Sequence, residues 1–168
     1  MNTLSSAMDT VPLFEGQRLV RKSIREICAE FDDAYWREKD ENEEFVDVLV
    51  EEGWIGALVP EEYGEPGMTT AEVVFMMEEI AASGGGFTAA QAIHGGVYNV
   101  LPMVNYGSEE MKEKLLPKLA TGEASIRSLG LTEPNAGLDS TSIETFAERN
   151  GDEYAVNGRK IWISYSVE

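Results

Sequence analysis

The spacing of apolar residues changes once along this chain, near residue 122, and that change limits the folds open to it. Before it, apolar side chains recur at three- and four-residue intervals; after it, they alternate between glycine-bearing turns. The pattern predicts an α+β chain. An N-terminal all-α helical bundle over residues 1–122 is followed by an incomplete antiparallel β domain over residues 123–168.

Within the helical part, Val20, Ile24, Ile27 and Phe31 fall on one stripe of residues 13–31, with Arg18, Arg21, Lys22 and Arg25 opposite. The basic stripe is read as a solvated face pairing with nearby acids, the alternative being a surface for an anionic partner. Residues 43–52 carry Phe45, Val48 and Leu49 at helical spacing and stop at Gly53. Thr69 and Glu72 stand at capping-box spacing ahead of Val73, Met76, Met77 and Ile80. Residues 87–106 are almost uncharged and are expected to form one helix buried on most sides, with His94 as a core histidine. Ser108 followed by Glu109 and Glu110 starts a last helix, with Leu115, Leu116 and Leu119 apolar and Pro117 placed to bend or end it.

In the second part, residues 125–131 alternate loosely as a strand. Residues 145–149 and 153–156 flank Asn150-Gly151, a dipeptide suited to a two-residue hairpin turn. Asn157-Gly158 then leads into residues 160–163, which completes an expected antiparallel meander. Three or four strands leave a sheet with an edge and a face to cover.

Charge excludes several functions. With 31 acidic against 13 basic residues and a formal charge of −18, nucleic-acid phosphates and anionic membrane surfaces are repelled. A solvated acidic surface is one reading, to which Asp40-Glu41-Asn42-Glu43-Glu44 contributes; screening in a salt-rich cytoplasm is another. No apolar run reaches the roughly 20 residues that cross a bilayer, and Met1 to Ser6 lack signal-peptide character, so no membrane insertion and a cytoplasmic location are expected. One histidine, His94, and one cysteine, Cys28, fall short of a metal-ligand set, so no metal is predicted. Gly84-Gly85-Gly86 follows no strand and lacks the Lys-Ser/Thr of a phosphate loop; it is read as a helix connection.

Two pieces of the C-terminal part carry chemistry. Leu129-Gly130-Leu131-Thr132-Glu133-Pro134-Asn135-Ala136-Gly137-Leu138-Asp139 is followed by Asn157-Gly158-Arg159-Lys160-Ile161-Trp162-Ile163-Ser164. Upstream runs Tyr106-Gly107-Ser108-Glu109 through Leu116-Pro117-Lys118-Leu119-Ala120-Thr121-Gly122-Glu123. In order and spacing these three segments resemble the acyl-CoA dehydrogenase family, over about residues 13–164. The resemblance implies FAD as cofactor. An isoalloxazine needs amides and a hydroxyl at its pyrimidine edge, a wall against its face and donors for the reduced ring. It implies that Leu129, Gly130, Leu131, Thr132, Gly137, Leu138, Trp162, Ile163 and Ser164 bind cofactor. Thr132 would serve the pyrimidine edge, Ser164 the hydride-accepting centre, and Trp162 the side of the ring. Gly137 and Leu138 would approach the pyrophosphate and the acyl-CoA.

Further implications concern the reaction. The family removes an α proton with a glutamate while the β hydrogen passes as hydride to the flavin, giving a trans-2-enoyl-CoA; electrons then leave to electron-transfer flavoprotein. That glutamate belongs to a C-terminal helical domain outside these 168 residues, so no catalytic residue is assigned, and Glu133 is read as structural. The chain is expected to be an N-terminal portion, inactive alone, of an enzyme that is usually a homotetramer. Leu138 stands where many members carry serine, a departure at the phosphate and substrate contact. An acyl-CoA oxidase and a non-catalytic helical interaction module are the other readings.

Overall fold

The computed structural model describes residues 13–38, 43–64, 67–126 and 128–164. The chain start over Met1 to Ser6 and the acid run at residues 40–42 lie outside these. The chain divides into two compact units, residues 1–126 and 127–168.

In the first unit α1 spans Glu15–Ala29, α2 Asp33–Glu38, α3 Glu43–Glu51, α4 Thr70–Ala82, α5 Gly86–Tyr98, α6 Leu101–Tyr106 and α7 Glu109–Ala120. Single turns of 3-10 helix at Trp54–Gly56 and Glu61–Tyr63 join α3 to α4. The predicted stripes point inward: Ile24, Phe45, Leu49, Val73, Met76, Ile80, Val97 and Leu116 are fully buried in one core. Burying each such side chain contributes about 1.5–3 kcal/mol, enough together to set which helix faces meet. Helix α4 packs between α1 and α5. Its start is the predicted box: Thr69 Oγ1 accepts from the Glu72 amide at 3.3 Å, and the Thr69 amide donates to the Glu72 carboxylate at 2.8 Å. Burial raises the Cys28 thiol to about 11, which keeps it protonated.

In this unit four local readings differ from the structure. Residues 87–106 form two helices rather than one, because Pro102 has no N–H to continue the ladder and its ring crowds the preceding turn, so α5 stops at Tyr98. Helix α5 buries only the stripe Ala89, Ala90, Ile93 and Val97, leaving His94 exposed beside Tyr98. Pro117 does not end α7, since burial of Leu116 and Ala120 on either side carries the helix to Ala120. Arg21 is not on a solvated face; it is 4% exposed and its Nε lies 2.5 Å from Glu79 Oε1 on α4. Arg25 Nε reaches the other oxygen of Glu79 at 2.6 Å. Two guanidiniums thus supply the compensation that a buried carboxylate requires.

Helix α2 was not signalled by apolar spacing. Asp32 caps it, its carboxylate accepting from the amides of Ala34 and Tyr35 at 2.9 Å each. Tyr35 and Trp36 then join Phe31 and Phe45 in edge-to-face ring contacts. The triple glycine lies against this cluster: a Cβ on Gly85 would meet the Trp36 ring at 2.7 Å.

In the second unit β1 (Phe146–Asn150) pairs antiparallel with β2 (Glu153–Asn157), in register Phe146↔Asn157 to Asn150↔Glu153. The turn residues are therefore Gly151 and Asp152, one position later than predicted. Gly151 at φ 65° occupies the first turn position, as a II′ hairpin requires. Among the described residues, 125–126, 128–131 and 160–163 do not form the expected ladder strands. Trp162 at φ 61° breaks the extended backbone of the second segment, and Pro134 turns the chain just after the first.

Candidate functional site

The two motif segments lie side by side and run antiparallel without forming a ladder. Ser128 Oγ donates to the Ser164 carbonyl at 2.6 Å, and the Ile161 amide donates to the Thr132 carbonyl at 2.9 Å. Lys160 Nζ donates to the Leu131 carbonyl at 3.1 Å and to Glu133 Oε1 at 2.7 Å. The hairpin β1–β2 accounts for this approach, because it returns the chain so that residues 160–164 pass back along residues 128–133.

Glu133 is the hub of the arrangement. It is 5% exposed, and its carboxylate also accepts from the Glu144 amide at 2.6 Å, the Thr145 amide at 3.0 Å and the Thr145 hydroxyl. The Lys160 ammonium first, then the Thr145 hydroxyl and the two amides, hold its carboxyl down at about 2. A carboxylate that acidic, with its lone pairs already engaged, is a poor proton acceptor. Glu133 also opens the turn that follows, exchanging both backbone hydrogen bonds with Ala136 at 3.1 Å around Pro134 and Asn135.

Around this hub, Leu129, Gly130, Leu131 and Thr132 on one segment are brought beside Trp162, Ile163 and Ser164 on the other. Thr132 and Ile163 are half-buried, whereas Leu131 and Ser164 are exposed. Trp162 is 87% exposed and holds a left-handed backbone, which costs a bulky L-residue about 1–2 kcal/mol. Among the described residues, neither the Thr132 nor the Ser164 hydroxyl makes a hydrogen bond. Gly137 and Leu138 follow the turn and take no part in the cross-links; a Cβ on Gly137 would meet nothing within 4 Å, and Leu138 is fully exposed. Asp139 closes the loop by accepting from the Thr141 amide at 3.2 Å.

Ser128, Thr145 and Lys160 were not singled out by sequence reasoning. Lys160 was legible in part, as the charged residue between Asn157-Gly158 and Trp162, but nothing local says that it reaches a residue 27 positions earlier.

The comparisons with known proteins show the family to which the chain belongs. Residues 15–123 match the acyl-CoA dehydrogenase N-terminal domain. The chain belongs to the acyl-CoA dehydrogenase family. It is 35% identical over 170 aligned residues to the mitochondrial isovaleryl-CoA dehydrogenase of Bos taurus, covering 97% of this chain and 39% of that protein. Among solved structures, the acyl-CoA dehydrogenase of Bacillus anthracis complexed with FAD superposes with a TM-score of 0.68 at 31% identity, over 90% of this chain and 27% of that one. A glutaryl-coenzyme A dehydrogenase in complex with glutaryl-CoA superposes at 0.69 with 32% identity, over 91% and 40% respectively. The chain thus spans roughly two-fifths of the length of the bovine relative. No described helix is long and apolar enough to cross a membrane.

Proposed function

We propose that this chain is the N-terminal part of an FAD-dependent acyl-CoA dehydrogenase and that residues 129–132 and 162–164 form one side of its flavin site. One observation carries the reading: the cross-linked segments present two unengaged hydroxyls, Thr132 and Ser164, next to an exposed indole held in a strained backbone. Strain of that kind persists where the surrounding structure imposes it, and it concentrates at binding and catalytic sites. The donor set suits a flat, polar-edged ring.

In this reading Thr132 and the backbone at Leu131 would hold the pyrimidine edge, Trp162 would stand beside the ring, and Ser164 would donate near its reactive nitrogen. Leu129 and Ile163 supply apolar surface, while Gly130, Gly137 and Leu138 let backbone approach the phosphates and the acyl-CoA. When bound, FAD supplies the acceptor for the hydride that leaves the β carbon of the substrate. The α proton goes to a carboxylate that is not Glu133. The product is a trans-2-enoyl-CoA, with electron-transfer flavoprotein as the electron acceptor and a homotetramer as the full enzyme's assembly.

The test is a visible absorbance titration of the purified chain with FAD, at low and at high salt. A flavin band perturbed on binding, and lost in a Thr132→Val/Ser164→Ala double variant, is the expected result. An unperturbed spectrum at every salt concentration would sink the flavin reading.

A further inference from the structure

The cross-links between the motif segments are concentrated at two points. At one end Lys160 bridges the Leu131 carbonyl and Glu133, and at the other Ser128 Oγ holds the Ser164 carbonyl. Between them lies a single backbone hydrogen bond, Ile161 to Thr132. A paired β-ladder would set the register of two strands by many backbone bonds, and among the described residues there is one. The side chains must therefore do what a ladder would do. A charge-assisted bond is roughly twice as strong as a neutral one, and Glu133 is anchored independently by Thr145 and Glu144, so Lys160 is held against a fixed point.

We propose that Glu133, Lys160 and Ser128 form a two-point clamp that sets the register of residues 128–133 against residues 160–164, and so the placement of the Thr132 and Ser164 hydroxyls for flavin. None of the three is assigned a contact with the ring; they are positioning residues. The clamp rests on the flavin reading above, and its hydrogen bonds are those of Ser128, Lys160 and Glu133 already described. Without the clamp, residues 160–164 are free to shift against residues 128–133, which changes the separation of the Thr132 and Ser164 hydroxyls.

The test uses the whole chain and reads two quantities, the exchange protection of the Ile161 amide without flavin and the Kd for FAD. Amides of β1 and β2 report that the hairpin is still folded. In Lys160→Met, Ile161 should lose protection and FAD should bind about tenfold more weakly, near the value of one charge-assisted hydrogen bond. Lys160→Arg should restore most of both. Should Lys160→Met unfold the hairpin, Ser128→Ala, which deletes only the distal bond, should still weaken FAD by about threefold, on the order of one neutral hydrogen bond. Unchanged FAD affinity in a folded Lys160→Met, or in Ser128→Ala, would overturn the clamp and leave the flavin reading intact. Weaker FAD with unchanged Ile161 protection would make Lys160 a direct ligand and would also overturn it. A wild-type chain that binds no FAD would defeat the flavin reading and the clamp's role together.

Discussion

Between residues 13 and 126 the chain buries Ile24, Phe45, Leu49, Val73, Met76, Ile80 and Val97 completely, whereas between 128 and 164 only Ala136 and the charged Glu133 are buried among the described residues. The first unit is held by area removed from water, the second by directed bonds converging on one carboxylate. Apolar burial is non-directional and spreads its stabilisation over many residues, so it tolerates imperfect geometry. A hub of hydrogen bonds fixes angles and distances instead, but depends on a few atoms and on their charge. The contrast teaches that precise placement in this chain resides where the core is thinnest.

The largest way to test that contrast is to remove core. Phe45→Ala should destabilise the helical unit by about 4 kcal/mol, read by urea unfolding of the far-ultraviolet signal. A cost below about 1 kcal/mol would mean that burial does not dominate there. Next comes a buried place where the helical unit also relies on charge. Glu79→Ala leaves Arg21 buried without its nearest carboxylate and should cost about 3 kcal/mol. If instead Glu79→Ala is neutral, the pair is not part of what joins α1 to α4.

Acid should separate the two units without any substitution. The folded Glu133 carboxyl lies at about 2, below its ordinary range near 4.3 when unfolded. A depressed carboxyl contributes fully above the unfolded value and loses that contribution as pH falls through the folded one, here between about 4.3 and 2. Ile161 protection should therefore survive at pH 4.5 and decline only below it; a midpoint well above pH 4.5 would show that Glu133 is not the hub. The smallest expected effect has the opposite sign. Trp162→Asn trades an exposed indole in left-handed backbone for a residue that tolerates it, and should stabilise the second unit by up to about 1 kcal/mol while weakening flavin. Destabilisation would mean that the indole packs more than its exposure indicates.

Much of the helical unit was legible because its signals are local. The Thr69–Glu72 cap, the stripe Val73, Met76 and Ile80, and the stop at Gly53 each lie within a few residues of chain. Helix α2 escaped, because its six residues carry no stripe and its place depends on ring contacts with Phe31 and Phe45. Arg21 escaped because a cation at helical spacing looks the same whether it meets water or a buried glutamate on another helix. In the second unit the motif residues could be read from their order, but their bonding could not. Residues 125–131 and 160–163 have strand-like composition, and composition does not say whether a ladder closes or a positive φ at Trp162 interrupts it.

By itself, then, the amino-acid sequence determined the helical character of the first unit and several of its helix starts and stops, that a hairpin turns near Gly151, and which family's residues the two motifs match. Tertiary structure alone decided that Arg21 is buried, which groups anchor the Glu133 carboxylate, and that Lys160 reaches Leu131 and Glu133. The physical reason is range. Periodicity, caps and turns act over one or two turns of chain, whereas a bond between Glu133 and Lys160 exists only after the intervening hairpin has folded back and set their separation.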